Sequence, residues 1–256
     1  METEKRKAPT LSYSDLLKLK RLNTPTIYNG WERISKTERT ARVYNREETR
    51  DFMPWTGPMV GYAVTVVIEP SDPRHLERNP DAWSEYRRYI AEGDWPKIVV
   101  VQDLDKPHFV GAFWGEVNSS IHRALGCVGT ITDGTIRDVD ETLDTGFKSI
   151  ASRLCVGHAY AYPVRWNCQV EVFGCPVHPG QLIHADQHGF LVIPEEDEAA
   201  LLEAALFADS AECNTIIPAA KMIGGRSKEQ ILDAIERGKQ VYDEQMRRRF
   251  AEGGEW

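Results

Sequence analysis

Two short segments in the middle of the chain hold residue types that could bind an anion and a cation together: Trp114-Gly115-Glu116-Val117-Asn118 and Asp133-Gly134-Thr135-Ile136-Arg137-Asp138. A guanidinium holds a planar carboxylate through two parallel hydrogen bonds, and an adjacent carboxylate suits a hard divalent cation that keeps much of its water. Arg137 and Asp138 supply that pair, and Glu116 is suited to hold a water of the ion. Gly115 lets backbone approach a ligand closely. A helix starting just after it turns the N–H groups around Gly115, Glu116, Val117 and Asn118 toward an anion. The same Arg-Asp pair after a strand also fits a surface ion pair, which is common and weak, and spacing alone does not separate the two readings.

The elements that must position these residues follow from patterning. Val128–Thr132 is short, β-branched and bounded by Gly126 and Gly134, which predicts a buried strand delivering Arg137 and Asp138 at its exit. Val117–Leu125 predicts the helix between the two segments, so the local order is strand, helix, strand. Upstream, Met59–Ile68 reads as a long buried strand and Ile98–Val101 as a second. Between them, 69–97 is long, charged and interrupted by proline. Trp83, Tyr86 and Ile90 recur there at helical spacing and predict an inward-packing helix over Ala82–Ala91.

Further strands are expected at Lys148–Ala151, Gln169–Phe173, Leu182–Ala185 and Phe190–Ile193. Helices are expected at Asp15–Leu19, capped by Ser12 or Ser14, and around Ile27–Ile34, begun by Thr24-Pro25. Beyond Pro194 an acidic helix runs to Ala208. A last helix follows over Ser227–Phe250, where Ser227 and Gln230 form a capping box. Three regions are expected: an N-terminal helical arm over 1–56, an α/β core over 57–194, and a C-terminal helical extension over 195–256 that packs on its own core or clasps a neighbouring subunit.

The formal net charge of −8, from 39 acids against 31 bases, argues against a protein that wraps nucleic acid. The first seven residues are charged without an apolar stretch, and nowhere do eighteen apolar residues run together. The expectation is a soluble, cytoplasmic protein with neither membrane nor nucleic acid as direct partner. Cys127, Cys155, Cys168, Cys175 and Cys213 form no Cys-x-x-Cys pair, which favours reduced thiols. Cys175, His178, His184, Asp186 and His188 look at first like a metal tract, but the surrounding prolines and glycines mark turn, strand, turn, and the reading favoured is a solvated rim.

In these segments the chain resembles the RraA-like family, which joins the regulator of ribonuclease E activity A to the class II 4-hydroxy-4-methyl-2-oxoglutarate aldolases. The resemblance runs over about 24–250. It rests on Met59-Val60-Gly61-Tyr62-Ala63-Val64-Thr65, Trp114-Gly115-Glu116, Asp133-Gly134-Thr135-Ile136-Arg137-Asp138 and the closing segment from His178-Pro179-Gly180 to Val192-Ile193-Pro194. It implies a swivelling α/β/β sandwich assembled as a homotrimer or homohexamer with sites between subunits. It further implies that Arg137 binds the carboxylate of a small anionic 2-oxo acid, that Asp138 coordinates Mg²⁺ or Mn²⁺, and that Glu116 holds a metal-bound water. No organic cofactor is implied.

The activity implied is C–C cleavage through a pyruvate enolate, a retro-aldol reaction with oxaloacetate decarboxylation as a side reaction. Asn29 stands where the aldolases place an acid that serves the adjacent subunit, Gln181 replaces an Asp, and 69–97 is longer than the pattern. The acid donated across the interface from the C-terminal helix is matched best by Glu244, with Glu236 and Asp243 nearby. Two other functions stay open. One is a non-enzymatic regulator that contacts a ribonuclease, and the other is a different metal-dependent reaction on a sugar acid.

Overall fold

The computed structural model describes residues 9–221 and 224–250. The charged segment 1–7, on which the cytoplasmic expectation rests in part, lies outside them. Two short helices, α1 (Tyr13–Leu19) and α2 (Thr24–Trp31), are followed by β1 (Arg50–Asp51), β2 (Met59–Ile68), α3 (Arg74–Arg78), α4 (Ala82–Ala91), β3 (Lys97–Asp103), β4 (Ala112–Trp114) and α5 (Glu116–Ala124). Then come β5 (Cys127–Ile136), α6 (Val139–Asp144), β6 (Lys148–Leu154), β7 (Pro163–Trp166), β8 (Val170–Val172), β9 (Cys175–Val177), β10 (Leu182–Asp186) and β11 (Gly189–Ile193). The helices α7 (Glu195–Asn214), α8 (Ile216–Lys221) and α9 (Lys228–Phe250) complete the order. The chain divides into two compact units: residues up to Thr24 with Thr40–Glu198, and Pro25–Arg39 with residues from Ala199 onward.

The first unit is built on a mixed sheet, nine-stranded among the described residues, with the order β1-β6-β5-β3-β2-β10-β11 and with β4 and β7 added on β5 and β2. Its centre, β6-β5-β3-β2, is parallel, and β10 and β11 continue it antiparallel. Parallel strands joined by helical crossovers are covered on both faces, so they need apolar residues on both. All ten positions of β2 are buried accordingly. Alternation divides the strands between two cores: Ile98 and Val100 pack with Ile131, Ile150 and Ile183, while Val99 and Val101 pack with Tyr86, Phe113, Trp114 and Phe147.

The mixed α/β architecture agrees with expectation, and β2 keeps its expected bounds. The strand predicted at Val128–Thr132 is longer, Cys127–Ile136, and reaches the residue before Arg137. The expected strand over Gln169–Phe173 shortens to β8, because Phe173 adopts a left-handed conformation (φ 49°) in the turn to β9. All five cysteines are free.

The solvated rim expected around His184 needs correction. Strand β10 is hydrogen-bonded between β2 and β11, and all five of its residues are buried. His184 uses both ring nitrogens in the core, Nδ1 with Thr24 Oγ1 at 2.9 Å and Nε2 with the Leu19 carbonyl at 3.1 Å. Burial pushes its pKa down to about 4, so the ring is neutral. Asp186 is buried as well and accepts the Thr24 and His188 N–H groups, each at 2.8 Å. Only His178 and His188 face solvent.

In the second unit Gly30 of α2 permits a helix crossing without a side chain, since a Cβ there would stand 2.3 Å from the Ala205 Cα. The capping box of α9 is formed reciprocally: the Ser227 N–H donates to Gln230 Oε1 at 2.9 Å and the Gln230 N–H to Ser227 Oγ at 3.3 Å. Tyr242 and Met246 of α9 pack with Ala211 of α7. No helix among the described residues is long and apolar enough to cross a membrane.

Candidate active site

The site follows from one strand pairing. Strand β4 runs parallel to the end of β5 with Trp114 opposite Ile136, so the next residue of each strand, Gly115 and Arg137, leaves the sheet beside the other. The Arg137 N–H donates to the Trp114 carbonyl at 3.0 Å and fixes this register. These are carboxyl ends of parallel strands, the place where open α/β sheets bind ligands.

Helix α5 starts at Glu116 with Gly115 as its N-cap, and no side chain caps it from that position. Asp138 takes over part of this task from the other strand: its Oδ2 accepts the Glu116 N–H at 3.2 Å. Asp138 itself is left-handed (φ 50°, ψ 51°), a conformation that costs a non-glycine residue energy and tends to persist where a site requires it. Arg137 Nε lies 3.6 Å from Asp138 Oδ2, and Nη1 donates to the Val156 carbonyl at 3.2 Å. Both side chains stay more than a third exposed, at 39% and 37%, so they face the cleft and not the core. Ser119 Oγ donates to the Gly115 carbonyl at 2.7 Å and ties the turn to the helix.

Gly115, Arg137 and Asp138 line a cleft of about 480 Å³ together with Glu116, Val117 and Asn118. Every site residue expected from the sequence is therefore at one place except Glu244. That residue is on α9 of the second unit, where its exposed carboxylate pairs with Arg248. Asn29 donates to Glu212 Oε1 at 3.3 Å within the second unit.

A divalent cation fits what is present. Asp138 offers a carboxylate with one oxygen engaged by a backbone amide and by Arg137, and the Glu116 carboxylate lines the same cleft. A Mg²⁺-type ion needs only one or two protein carboxylates, with substrate and water completing the octahedron. A different acidic group, Glu69, Asp72 and His75, has ligand atoms within 4.8 Å of one another. Its Asp72 is already gripped by Arg74 at 2.7 and 2.8 Å, which holds that carboxyl well below the usual range. Its negative charge is answered, and it is the poorer cation site.

The rest of the lining comes from residues that the sequence did not single out as functional. Trp83 and Arg87 of α4, Phe113 of β4, and His158 and Tyr162 of the loop before β7 all line the cleft. Trp83 stacks on Phe113 with centroids 5.4 Å apart and planes 8° from parallel, and Tyr162 meets Trp83 edge-on at 6.4 Å. The signal was present in the length of 69–97 and in the helical spacing of Trp83, but nothing in that pattern says which face meets a ligand. His122 of α5, buried, bridges the Asn118 carbonyl and the Tyr86 hydroxyl at 2.7 and 3.0 Å. Burial lowers its pKa to about 4, so it serves the core as a neutral ring.

Fold and cleft together define an α/β protein with a cleft at the carboxyl end of its parallel strands, lined by the Arg137 guanidinium and the carboxylates of Glu116 and Asp138. The RraA-like family model, described as Aldolase/RraA, matches residues 24–192, and the chain belongs to that family. Protein DlpA of Legionella pneumophila subsp. pneumophila is 28% identical over 140 residues, 54% of this chain and 22% of that protein. A putative 4-hydroxy-4-methyl-2-oxoglutarate aldolase of Halalkalibacterium halodurans is 28% identical over 111 residues, 43% of this chain and 52% of its own length. The chain thus spans about half or less of these curated relatives. Among solved structures, Streptomyces coelicolor RraAS2, described as an unusual member of the RNase ES inhibitor RraA protein family, superposes with a TM-score of 0.61 at 18% identity. That match covers 80% of this chain and 97% of that one. The likeness in structure is one of fold.

Proposed function

We propose that the protein is a divalent-metal-dependent lyase that cleaves a C–C bond of a 2-oxo acid, by retro-aldol reaction and with oxaloacetate decarboxylation as a side activity. The observation that carries this reading is the convergence of Arg137, Asp138 and the start of α5 on one cleft. Arg137 grips the substrate carboxylate through its fork, with Val156 holding one arm of the guanidinium in place. The amides at Gly115, Val117 and Asn118 face the anionic end of the substrate, while the Glu116 amide stays on the Asp138 carboxylate. Asp138 would hold Mg²⁺ or Mn²⁺, which when bound would polarise the 2-oxo group at C2 and so stabilise the charge left on C3 when the C3–C4 bond breaks.

In the cleavage the C4 hydroxyl proton leaves, the C3–C4 electron pair moves toward the 2-oxo group, and C3 gains a proton to give pyruvate. Glu116, exposed at the mouth, handles the proton delivered to C3. The hydroxyl proton is assigned to Glu244 of a neighbouring copy in a homotrimer or homohexamer, the acid that the resemblance places across the interface. No organic cofactor enters this scheme. The test is pyruvate release from 4-hydroxy-2-oxo acids and oxaloacetate with and without a chelator, for wild type and Arg137→Ala. Loss of metal abolishes release, and Arg137→Ala lowers kcat/KM by roughly a hundredfold or more. Turnover that survives both changes overturns the proposal.

Asn29 favours a second reading, since an amide cannot act as the base that the aldolases place there. In that reading the protein is a non-enzymatic regulator that binds a ribonuclease, and wild type releases no pyruvate from any 2-oxo acid offered with metal. Another metal-dependent reaction on a sugar acid is the third reading.

A further inference from the structure

We propose that Arg87 is a specificity-determining residue of the cleft, binding a second anionic group at the end of the substrate away from the Arg137–Asp138 pair. This inference rests on the lyase reading of the same site.

Two guanidinium groups line this one cleft, and their circumstances differ. Arg137 is occupied by the Val156 carbonyl and the Asp138 carboxylate. Arg87 is held by an aromatic ring: its guanidinium carbon stands 5.0 Å from the Trp83 centroid, and Trp83 is fixed in turn by its stack on Phe113. Its Nε is buried and has no hydrogen-bond partner. Among the described residues no carboxylate lies within ion-pair distance of Arg87, whereas Arg42, Arg74 and Arg249 each hold one.

A buried guanidinium N–H without a partner carries a desolvation cost that calls for an explanation, and here the Nε sits enclosed against Trp83 at the edge of a cleft that the guanidinium lines. The lining carboxylates, Glu116 and Asp138, do not pair with it. What Arg87 offers is a planar fork on an aromatic platform, which suits a carboxylate joined to the reacting end by a short apolar spacer lying along Trp83, Phe113 and Tyr162. The segment that brings Arg87 here is the long 69–97 connection, so the residue is part of what distinguishes this cleft.

The experiment is calorimetric binding in the presence of Mg²⁺ with three probes. Oxalate is a compact dianion that reaches only the Arg137 end, 2-oxovalerate is a monoanion, and 2-oxoglutarate has the same carbon count with a carboxylate at the far end. Wild type binds 2-oxoglutarate at least tenfold more tightly than 2-oxovalerate. Arg87→Gln removes that preference while changing oxalate and 2-oxovalerate affinity less than twofold, and Arg87→Lys restores part of it. Equal affinity of wild type for the two five-carbon acids overturns the proposal, even if Arg87→Gln fails to fold. So does an equal loss of all three probes in a folded Arg87→Gln variant. Metal-dependent oxalate binding with no preference between the longer acids refutes Arg87 alone. Absence of oxalate binding refutes the lyase reading and this inference with it.

Discussion

The position that a side chain at residue 115 would occupy is filled by Asp138: a Cβ on Gly115 would stand 2.6 Å from Asp138 Oδ2 and 3.1 Å from Arg137 Nε. Gly115 is extended (φ −161°, ψ −177°), so alanine meets no backbone strain there. The whole effect of Gly115→Ala should fall on the two charged side chains, which are more than a third exposed and can shift toward solvent at the cost of their bonds to Glu116 and Val156. Stability is expected to change by less than about 1 kcal/mol, while metal-dependent oxalate binding drops at least tenfold. Thermal unfolding and calorimetry on the same sample check both halves. A variant that binds oxalate like wild type would show that the close fit of Gly115 to Asp138 has no part in the site.

Four buried titratable groups set opposing pH dependences. Burial pushes the Asp103 and Asp133 carboxyls up to about 7, and it pushes His122 and His184 down to about 4. A carboxyl with a raised folded-state pKa keeps its proton after the unfolded chain has lost it, so stability falls as pH rises from about 4 through about 7. A histidine with a depressed one is protonated first in the unfolded chain, so stability is lost as pH falls from about 6.5 through about 4. Between pH 5 and 6 the four contributions nearly cancel. Asp133 Oδ1 accepts the Asp103 N–H at 2.9 Å, a bond that asparagine retains. Asp133→Asn therefore removes one term, and its stability relative to wild type should rise by about 1.4 kcal/mol per pH unit across that interval. Urea unfolding at pH 5.0, 5.5 and 6.0 measures the slope. Parallel curves for the two proteins would mean that Asp133 is ionised in the folded state.

How far these features were readable from the sequence depends on the range over which their causes act. The Gly115-Glu116 turn and the Arg137-Asp138 pair were legible because each is a local combination of residue types, and β2 was legible because ten consecutive apolar or β-compatible residues leave few alternatives. What brings the two segments together is less local: it needs the short strand β4 to pair with the last residues of β5. The sequence showed a strand ending at Thr132, because Asp133 and Gly134 interrupt the apolar pattern. Asp133 is accommodated as a buried acceptor of the Asp103 N–H, with burial raising its pKa, a state no pattern announces. His184 was misjudged for a related reason. Alternation on a strand says which residues share a face, and the second covering face depends on β10 lying between β2 and β11. Arg87 was missed because a helix period locates Trp83 and Tyr86 toward the core but does not tell a solvated arginine from one left unpaired in a cleft.

Lys97 links the extra segment to the sheet, and removing its charge tests whether that segment is held as described. At the start of β3 its side chain is only 1% exposed, and Nζ donates to the carbonyls of Ile90, Glu92 and Gly93 at 2.8, 3.2 and 3.0 Å. One ammonium thus satisfies the C-terminal end of α4, where helix carbonyls lack intrahelical partners and a cation also meets the favourable end of the helix dipole. Lys97→Met keeps the packing volume but leaves those carbonyls without their donor. The relief of burying an ammonium offsets part of this, so the net loss is expected at about 2 kcal/mol, or a fall of about 4–8 °C in Tm for a chain of this size. The loss should be local first: amide hydrogen exchange over Ala82–Ala91 speeds up before exchange in β3 or β5 does. Because α4 also positions Trp83 and Arg87, the preference for 2-oxoglutarate over 2-oxovalerate should weaken in parallel while oxalate binding is spared. Unchanged exchange in α4 together with an unchanged Tm would show that the three carbonyls find other donors and that Lys97 does not anchor the helix.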